Sequence, residues 1–289
     1  MLIKIKLLKT TKCYAPVQNY NFCHWLKRFN FDKIYFMVLK EGSLFTRIHR
    51  GVATVQFGHP AGNSFPMKLL KKLTKELHLL SQRPEVRVIV LRSEGDRAFC
   101  AGASFNELIA ISNEEEGTLF FSGFAHVINA MRTCSKLIIG RVQGKAVGGG
   151  VGLAAACDYL FATRNASVKL SEFTIGIGPF VIAPAVERKI GISGLAELTL
   201  AATNWKDAHW AKEKGLYAEV FENMSDMDKG IDVFANELAS YNPEALRKMK
   251  KVLWEHTDHW RELLVERAAV SGQLVLSDVT KRALEQFKK

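Results

Sequence analysis

Leu137-Ile-Ile-Gly-Arg-Val142 runs straight into Gln143-Gly-Lys-Ala-Val-Gly-Gly-Gly-Val-Gly-Leu-Ala-Ala-Ala-Cys-Asp158, and the rest of the chain is read against this stretch. Leu137, Ile138, Ile139 and Val142 form a short apolar run, which predicts a strand buried on both faces and leading into a helix. Gly148, Gly149, Gly150 and Gly152 are not there for helix propensity, since each costs about 1 kcal/mol against Ala inside a helix. What they permit is close approach. Without Cβ atoms, the free backbone N–H groups at a helix start can face a ligand oxygen at the positive end of the helix dipole. The stretch is a cradle for an oxyanion or a phosphate.

The spacing separates the known cradles. A P-loop is excluded, because Gly144-Lys145-Ala146 lacks both the Ser/Thr hydroxyl and the earlier glycine. The dinucleotide fingerprint Gly-x-Gly-x-x-Gly/Ala is matched by Gly150, Gly152 and Ala155, and Glu172 lies about twenty residues on, where a ribose-binding acid stands. An NAD-dependent oxidoreductase is therefore one alternative, although Gln143 to Gly149 separates this fingerprint from the strand end. Working outward, Arg97-Ala-Phe-Cys-Ala-Gly-Ala-Ser-Phe105 follows a second apolar run at Val86 to Leu91.

These two segments, in this order, resemble the crotonase (enoyl-CoA hydratase/isomerase) superfamily. Its signature is an apolar strand followed by N-G-x-x-x-G-G-G-x-x-L-x-x-x-C-D, and its earlier element is A-F-x-A-G-A-D. The resemblance extends from about Ser43 to the C-terminus. Alternating strands and helices alone predict an α/β fold with a doubly wound parallel sheet. The resemblance implies instead an α/β crotonase-type spiral of ββα turns, with two sheets and a C-terminal helical segment.

In this family an acyl-CoA thioester presents its carbonyl oxygen to two backbone N–H groups, which the resemblance places at Ala103 and Gly149. It implies further substrate contacts at Ala101, Ser104, Phe105 and Gly148. Hydratases of the family use two glutamates. One stands three residues after the second glycine of the run and is Gly152 here, leaving space where a carboxylate would be; the other falls on Glu172. The family's acid after Ala-Gly-Ala is Ser104. Glu172 is thus the expected proton-transferring residue, and no cofactor is implied beyond the coenzyme A of the substrate. Gly148 to Asp158, Ile175 to Pro184 and Arg188-Lys-Ile-Gly191 most resemble bacterial methylglutaconyl-CoA hydratases, which implies hydration of an enoyl-CoA. A single glutamate also suits a Δ3,Δ2-enoyl-CoA isomerase, and an inactive acyl-CoA-binding homologue is a third expectation.

The chain has 289 residues, 48% of them hydrophobic, and no apolar run of the roughly 18 residues that span a bilayer. Forty basic and 29 acidic side chains leave +11, of which residues 1–42 supply +6 from eight basic and two acidic groups. That segment has no period and reads as a dispensable basic extension, with Met37 as a possible start, although Tyr14, Tyr20, Phe22, Trp25, Phe29 and Phe31 argue against plain disorder. Five cysteines without CxxC spacing predict neither a disulfide framework nor a zinc site, and a reducing cytoplasm is expected. The histidines have no metal-ligand spacing, so no metal is expected.

Leu44 to Ile48 and Val52 to Phe57 predict a hairpin, and Pro66 to Leu80 a helix with one leucine stripe. Its other face carries Lys68, Lys71, Lys72 and Lys75, either a comb for a phosphate backbone or a solvated face, with the latter expected. Residues 43–225 form the expected core. Beyond Ala183 the pattern is almost entirely helical, with amphipathic segments at Asp226 to Ser240, Pro243 to Glu255 and His259 to Gln286. The resemblance makes residues 226–289 a helical trimerisation segment, in a homotrimer or a dimer of trimers.

Overall fold

The fold, a computed structural model, describes residues 41–286. Strands β1 (Ser43–His49) and β2 (Val52–Gly58) form the expected hairpin. Arg50 and Gly51 at its tip have φ of 47° and 81°, the left-handed pair that a primed two-residue turn requires. Helix α1 (Met67–Gln82) buries Leu69, Leu70, Leu73, Leu77 and Leu80 on one stripe. It leads to β3 (Val88–Ser93), the short α2 (Phe105–Ile109) and α3 (Glu114–Thr133), whose first turn holds three glutamates where the helix dipole favours them. The central stretch becomes β4 (Leu137–Val142), β5 (Ala146–Val147) and α4 (Gly149–Ala155). Then come β6 (Tyr159–Thr163), β7 (Ser167–Lys169), a 3-10 turn at Glu172–Ile175 and α5 (Ala183–Leu200).

The main sheet has the strand order β1-β2-β3-β4-β6 and ends on β9 (Glu219–Phe221), with every pair but the first parallel. Strand number rises steadily across it. A doubly wound sheet would reverse direction partway, so that expectation is corrected: each turn of chain adds its strand on the same side, and the path is a spiral. The alternate strands β5 and β7, joined by β8 (Lys206–Asp207), make a separate three-stranded sheet. The ββα repeat is thus visible as β4-β5-α4.

Both faces of the main sheet are buried. Ile89, Leu91 and Ile138 pack with the leucines of α1, while Val88, Val90 and Ile139 pack with Met227, Ile231 and Ala235 of α7 (Met224–Ser240). The region beyond Ala183 is not wholly helical, since β8 and β9 lie there, flanking α6 (Ala208–Glu213). These strands are two and three residues long, too short to leave a period-2 signal. After α8 (Pro243–Leu253), the single helix expected over His259 to Gln286 is two, α9 (Trp260–Leu274) and α10 (Asp278–Glu285). The break is local chemistry, because the Ser277 side chain accepts the Thr280 N–H and caps a new helix.

The C-terminal helices are bound to the central stretch. Asp158, which closes the glycine segment, accepts from Lys250 Nζ at 2.6 Å, Trp254 Nε1 at 2.7 Å and the Ile138 N–H at 2.7 Å. The Lys250 and Asp158 side chains are 2% and 4% exposed, so each neutralises a charge that would be costly to bury alone. Helix α9 crosses α3 so closely that a Cβ on Gly117 would lie 2.7 Å from the Gly272 carbonyl. The described residues all belong to one compact unit. The basic extension, up to residue 40, lies outside the described residues. On α1, Lys68 pairs with Glu41, and Lys71 and Lys75 border a cavity of about 310 Å³ together with His78 and His126.

Candidate active site

The two sequence motifs zip together through their backbones. The Phe99 N–H donates to the Lys145 carbonyl at 2.9 Å, and the Val147 N–H to the Cys100 carbonyl at 2.9 Å. Glycines make this approach possible. A Cβ on Gly144 would stand 1.6 Å from the Arg97 carbonyl oxygen, and one on Gly150 would stand 2.5 Å from that of Cys100. On its other edge the Ala-Gly-Ala loop meets Phe65, whose N–H donates to Gly102 O at 2.8 Å and whose carbonyl accepts from the Ser104 N–H at 3.0 Å. Because extended backbone alternates its hydrogen-bonding directions, the Ala103 N–H between these two bonds points away from Phe65. Gly149 is the first residue of α4, so its N–H has no partner within the helix. A Cβ on Gly102 would lie 3.6 Å from Gly149 N, which fixes how closely the two segments meet.

Ala101, Ala103, Phe105, Gly148, Gly149 and Glu172 all line one cavity of about 540 Å³. Gly148 (φ 53°, ψ −121°) donates its N–H to the Lys169 carbonyl at 3.0 Å, in a backbone conformation that side chains other than glycine avoid. Its Cα faces the base: a Cβ there would be 2.7 Å from Glu172 Oε1. Glu172 opens the 3-10 turn, which Gly176 terminates at φ 78°. The residue as a whole is half-buried, but its Oε2 is fully enclosed and has no hydrogen-bond partner. Loss of water around the carboxylate pushes its pKa up to about 7. A carboxylate held there can both take and return a proton near neutral pH.

Ser104 does not line the cavity. It is buried at the start of α2, where its side chain accepts the Glu107 N–H at 3.4 Å as a helix cap. Gly152 also differs from expectation, because the space beside it is filled: a Cβ there would lie 2.4 Å from Ile182 Cγ2. Ile182 itself lines the cavity. Nor do Gly150 and Gly152 open onto a dinucleotide cleft, since their missing side chains are occupied by Cys100 and Ile182.

Sequence reasoning missed the aromatic wall made by Phe120, Phe121 and Phe124 of α3 together with Phe180. Phe120 and Phe124 are four apart on one helix and carried a legible signal. Ile182 carried none. Among the described residues no cluster of three or more His, Cys, Asp or Glu is placed to hold a metal, and no helix is long and apolar enough to cross a membrane.

A family model described as enoyl-CoA hydratase/isomerase matches residues 47–285. The chain belongs to that enzyme family. It is similar to the peroxisomal Delta(3,5)-Delta(2,4)-dienoyl-CoA isomerase of Arabidopsis thaliana, with 28% identity over 236 residues, 75% of this chain and 82% of the relative. It is also similar to the mitochondrial methylglutaconyl-CoA hydratase of Homo sapiens, with 34% identity over 208 residues, 70% of this chain and 60% of the human protein. Among solved structures, the enoyl-CoA hydratase from Bacillus halodurans superposes with a TM-score of 0.79 at 20% identity, covering 84% of this chain and 99% of that one. The spiral is therefore the crotonase fold. Relatives of this enoyl-CoA hydratase/isomerase chain thus include both hydratases and an isomerase.

Proposed function

We propose that this enzyme moves the double bond of an enoyl-CoA thioester by a 1,3-proton shift, with Glu172 as the sole proton carrier. The observation that carries this is the pairing of a base poised near neutrality with Ile182 packed against Gly152, where a second carboxylate would have to stand. The Ala103 and Gly149 N–H groups hold the thioester oxygen and stabilise the negative charge that grows on it, donors of this kind being worth about 3 kcal/mol each. Glu172 removes a proton from the α-carbon, the electron pair spreads into the enolate, and the same carboxyl group returns the proton at the γ-carbon. No atom is gained or lost.

Hydration is the second reading, favoured by the 34% identity to the human methylglutaconyl-CoA hydratase. Product mass separates the two: incubation of 2- and 3-enoyl-CoA with the enzyme in heavy water should give isomers carrying α- or γ-deuterium, whereas a hydrated product would overturn the double-bond shift.

Because Glu172 acts as a base, kcat/KM should rise with pH through about 7 and level off above it. Stability should run the other way. The folded carboxyl keeps its proton up to about 7 while the unfolded one loses it near 4.5, so stability falls as pH rises across that window. A melting series in which Glu172→Gln shows the same slope would refute the assignment.

Assembly follows the same family logic. Ile192 and Leu200 on α5 and Trp205 beyond it are exposed at 65%, 75% and 41%, apolar groups that a contact between subunits would cover. A trimer or a dimer of trimers is expected, and sedimentation showing a monomer at micromolar concentration would contradict it.

A further inference from the structure

Resting on that acyl-CoA reading, we infer that the acyl group this site accepts is uncharged and bulkier than four carbons, and that thioesters ending in a second carboxylate are excluded. The cavity of about 540 Å³ is lined by Phe120 and Phe124 on α3 and by Phe180, Ile177, Val181 and Ile182 on the segment after Glu172. Phe120 and Phe121 meet edge to face with centroids 5.1 Å apart, and the ring of Phe124 occupies the place of a side chain at Gly149. A short acyl group would leave much of this wall in contact with water.

The aromatic wall itself carries no cation and no hydroxyl, since Phe120, Phe121, Phe124, Ile177, Phe180, Val181 and Ile182 are all apolar. Among the described lining residues Glu172 is the one acid and would repel a carboxylate. Lys169 is the one base among them and stands on the side of Gly148, whose N–H donates to the Lys169 carbonyl, with its Nζ 5.5 Å from the centroid of the Trp205 ring. Arg267, behind the aromatic segment, donates to the Phe180 carbonyl at 3.4 Å and does not line the cavity. The Ser271 hydroxyl, delivered by α9, is spent on the Arg267 carbonyl at 3.3 Å. A distal carboxylate laid against this wall would have no partner there and would carry the cost of an isolated buried charge. Apolar carbon gains instead, by roughly fourfold in affinity for each methylene taken out of water.

Saturated thioesters test this without turnover. Dissociation constants by calorimetry for coenzyme A alone, butyryl-CoA, hexanoyl-CoA, octanoyl-CoA and glutaryl-CoA should fall in order of apolar length. Hexanoyl-CoA should bind at least roughly 10²-fold more tightly than glutaryl-CoA. Equal or tighter binding of glutaryl-CoA, or affinity that stays flat from butyryl to octanoyl, overturns the inference while leaving an acyl-CoA enzyme in place. If no thioester binds more tightly than coenzyme A itself, the acyl-CoA reading fails and the inference falls with it.

Discussion

Glu172→Gln lowers turnover of the best enoyl-CoA by roughly 10²-fold or more while the affinity for saturated acyl-CoA changes little. Gln keeps the size of the side chain and loses only the capacity to carry a proton. Binding survives because the thioester is held by backbone donors at Ala103 and Gly149, which the substitution does not touch. The variant should also be no less stable near pH 7, since it removes a carboxyl whose charge the cavity disfavours. Deuterium wash-in at the α- and γ-carbons must fall in parallel with turnover. Near-normal turnover would remove Glu172 from the mechanism and leave an acyl-CoA-binding chain without a catalytic acid.

Gly144→Ala costs the fold itself. The added methyl would stand 1.6 Å from the Arg97 carbonyl, and backbone on backbone has no rotamer with which to yield. Overpacking of this kind costs about 3 kcal/mol or more, which for a domain of this size lowers Tm by roughly 6–12 °C. Gly95→Ala is the control. It has φ 79° but nothing within 4 Å of the added carbon, so only backbone strain of about 1 kcal/mol opposes it. Thermal unfolding of the two variants side by side separates collision from strain; equal shifts would show that the two motif segments do not meet as closely as described.

The glycine stretch was legible because residues with so poor a helix propensity require a reason, and that reason proved to be close neighbours: the Cys100 backbone at Gly150 and the side chains of Glu172, Phe124 and Ile182 at Gly148, Gly149 and Gly152. The meeting place of the two motif segments was partly legible as well, since Arg97 to Phe105 and Gln143 to Asp158 each follow an apolar strand, and adjacent parallel strands end on the same side. What lay beyond reach was whatever depends on a side chain from elsewhere in the chain. Gly152 promised an empty place, and Ile182, thirty residues later, fills it. Asp158 looked like the tail of a motif, yet it is the acceptor for Lys250 and Trp254, which come from a helix some ninety residues on. Ser104 stood in register with a substrate-side acid, and its position at a helix start gives it a capping role instead. The apparent dinucleotide fingerprint failed for a related reason: glycine spacing records that something comes close, and here the neighbours are Cys100 and Ile182 and not a pyrophosphate.

Two contacts tie the last helices of the chain to the site. Ser271 reaches the cavity because α9 lies against α3, and a Cβ on Gly176, which ends the turn bearing Glu172, would lie 2.5 Å from Thr280 Oγ1 on α10. Val275 and Leu284 complete the apolar cluster around Ile177. The last helices of the chain therefore brace the turn that carries the base, whereas the aromatic wall comes from α3 and the segment just after Glu172. A chain that stopped after α8 would keep the base and every aromatic of the wall and would lose only this bracing. What the C-terminal helices give the site is a fixed position for its base.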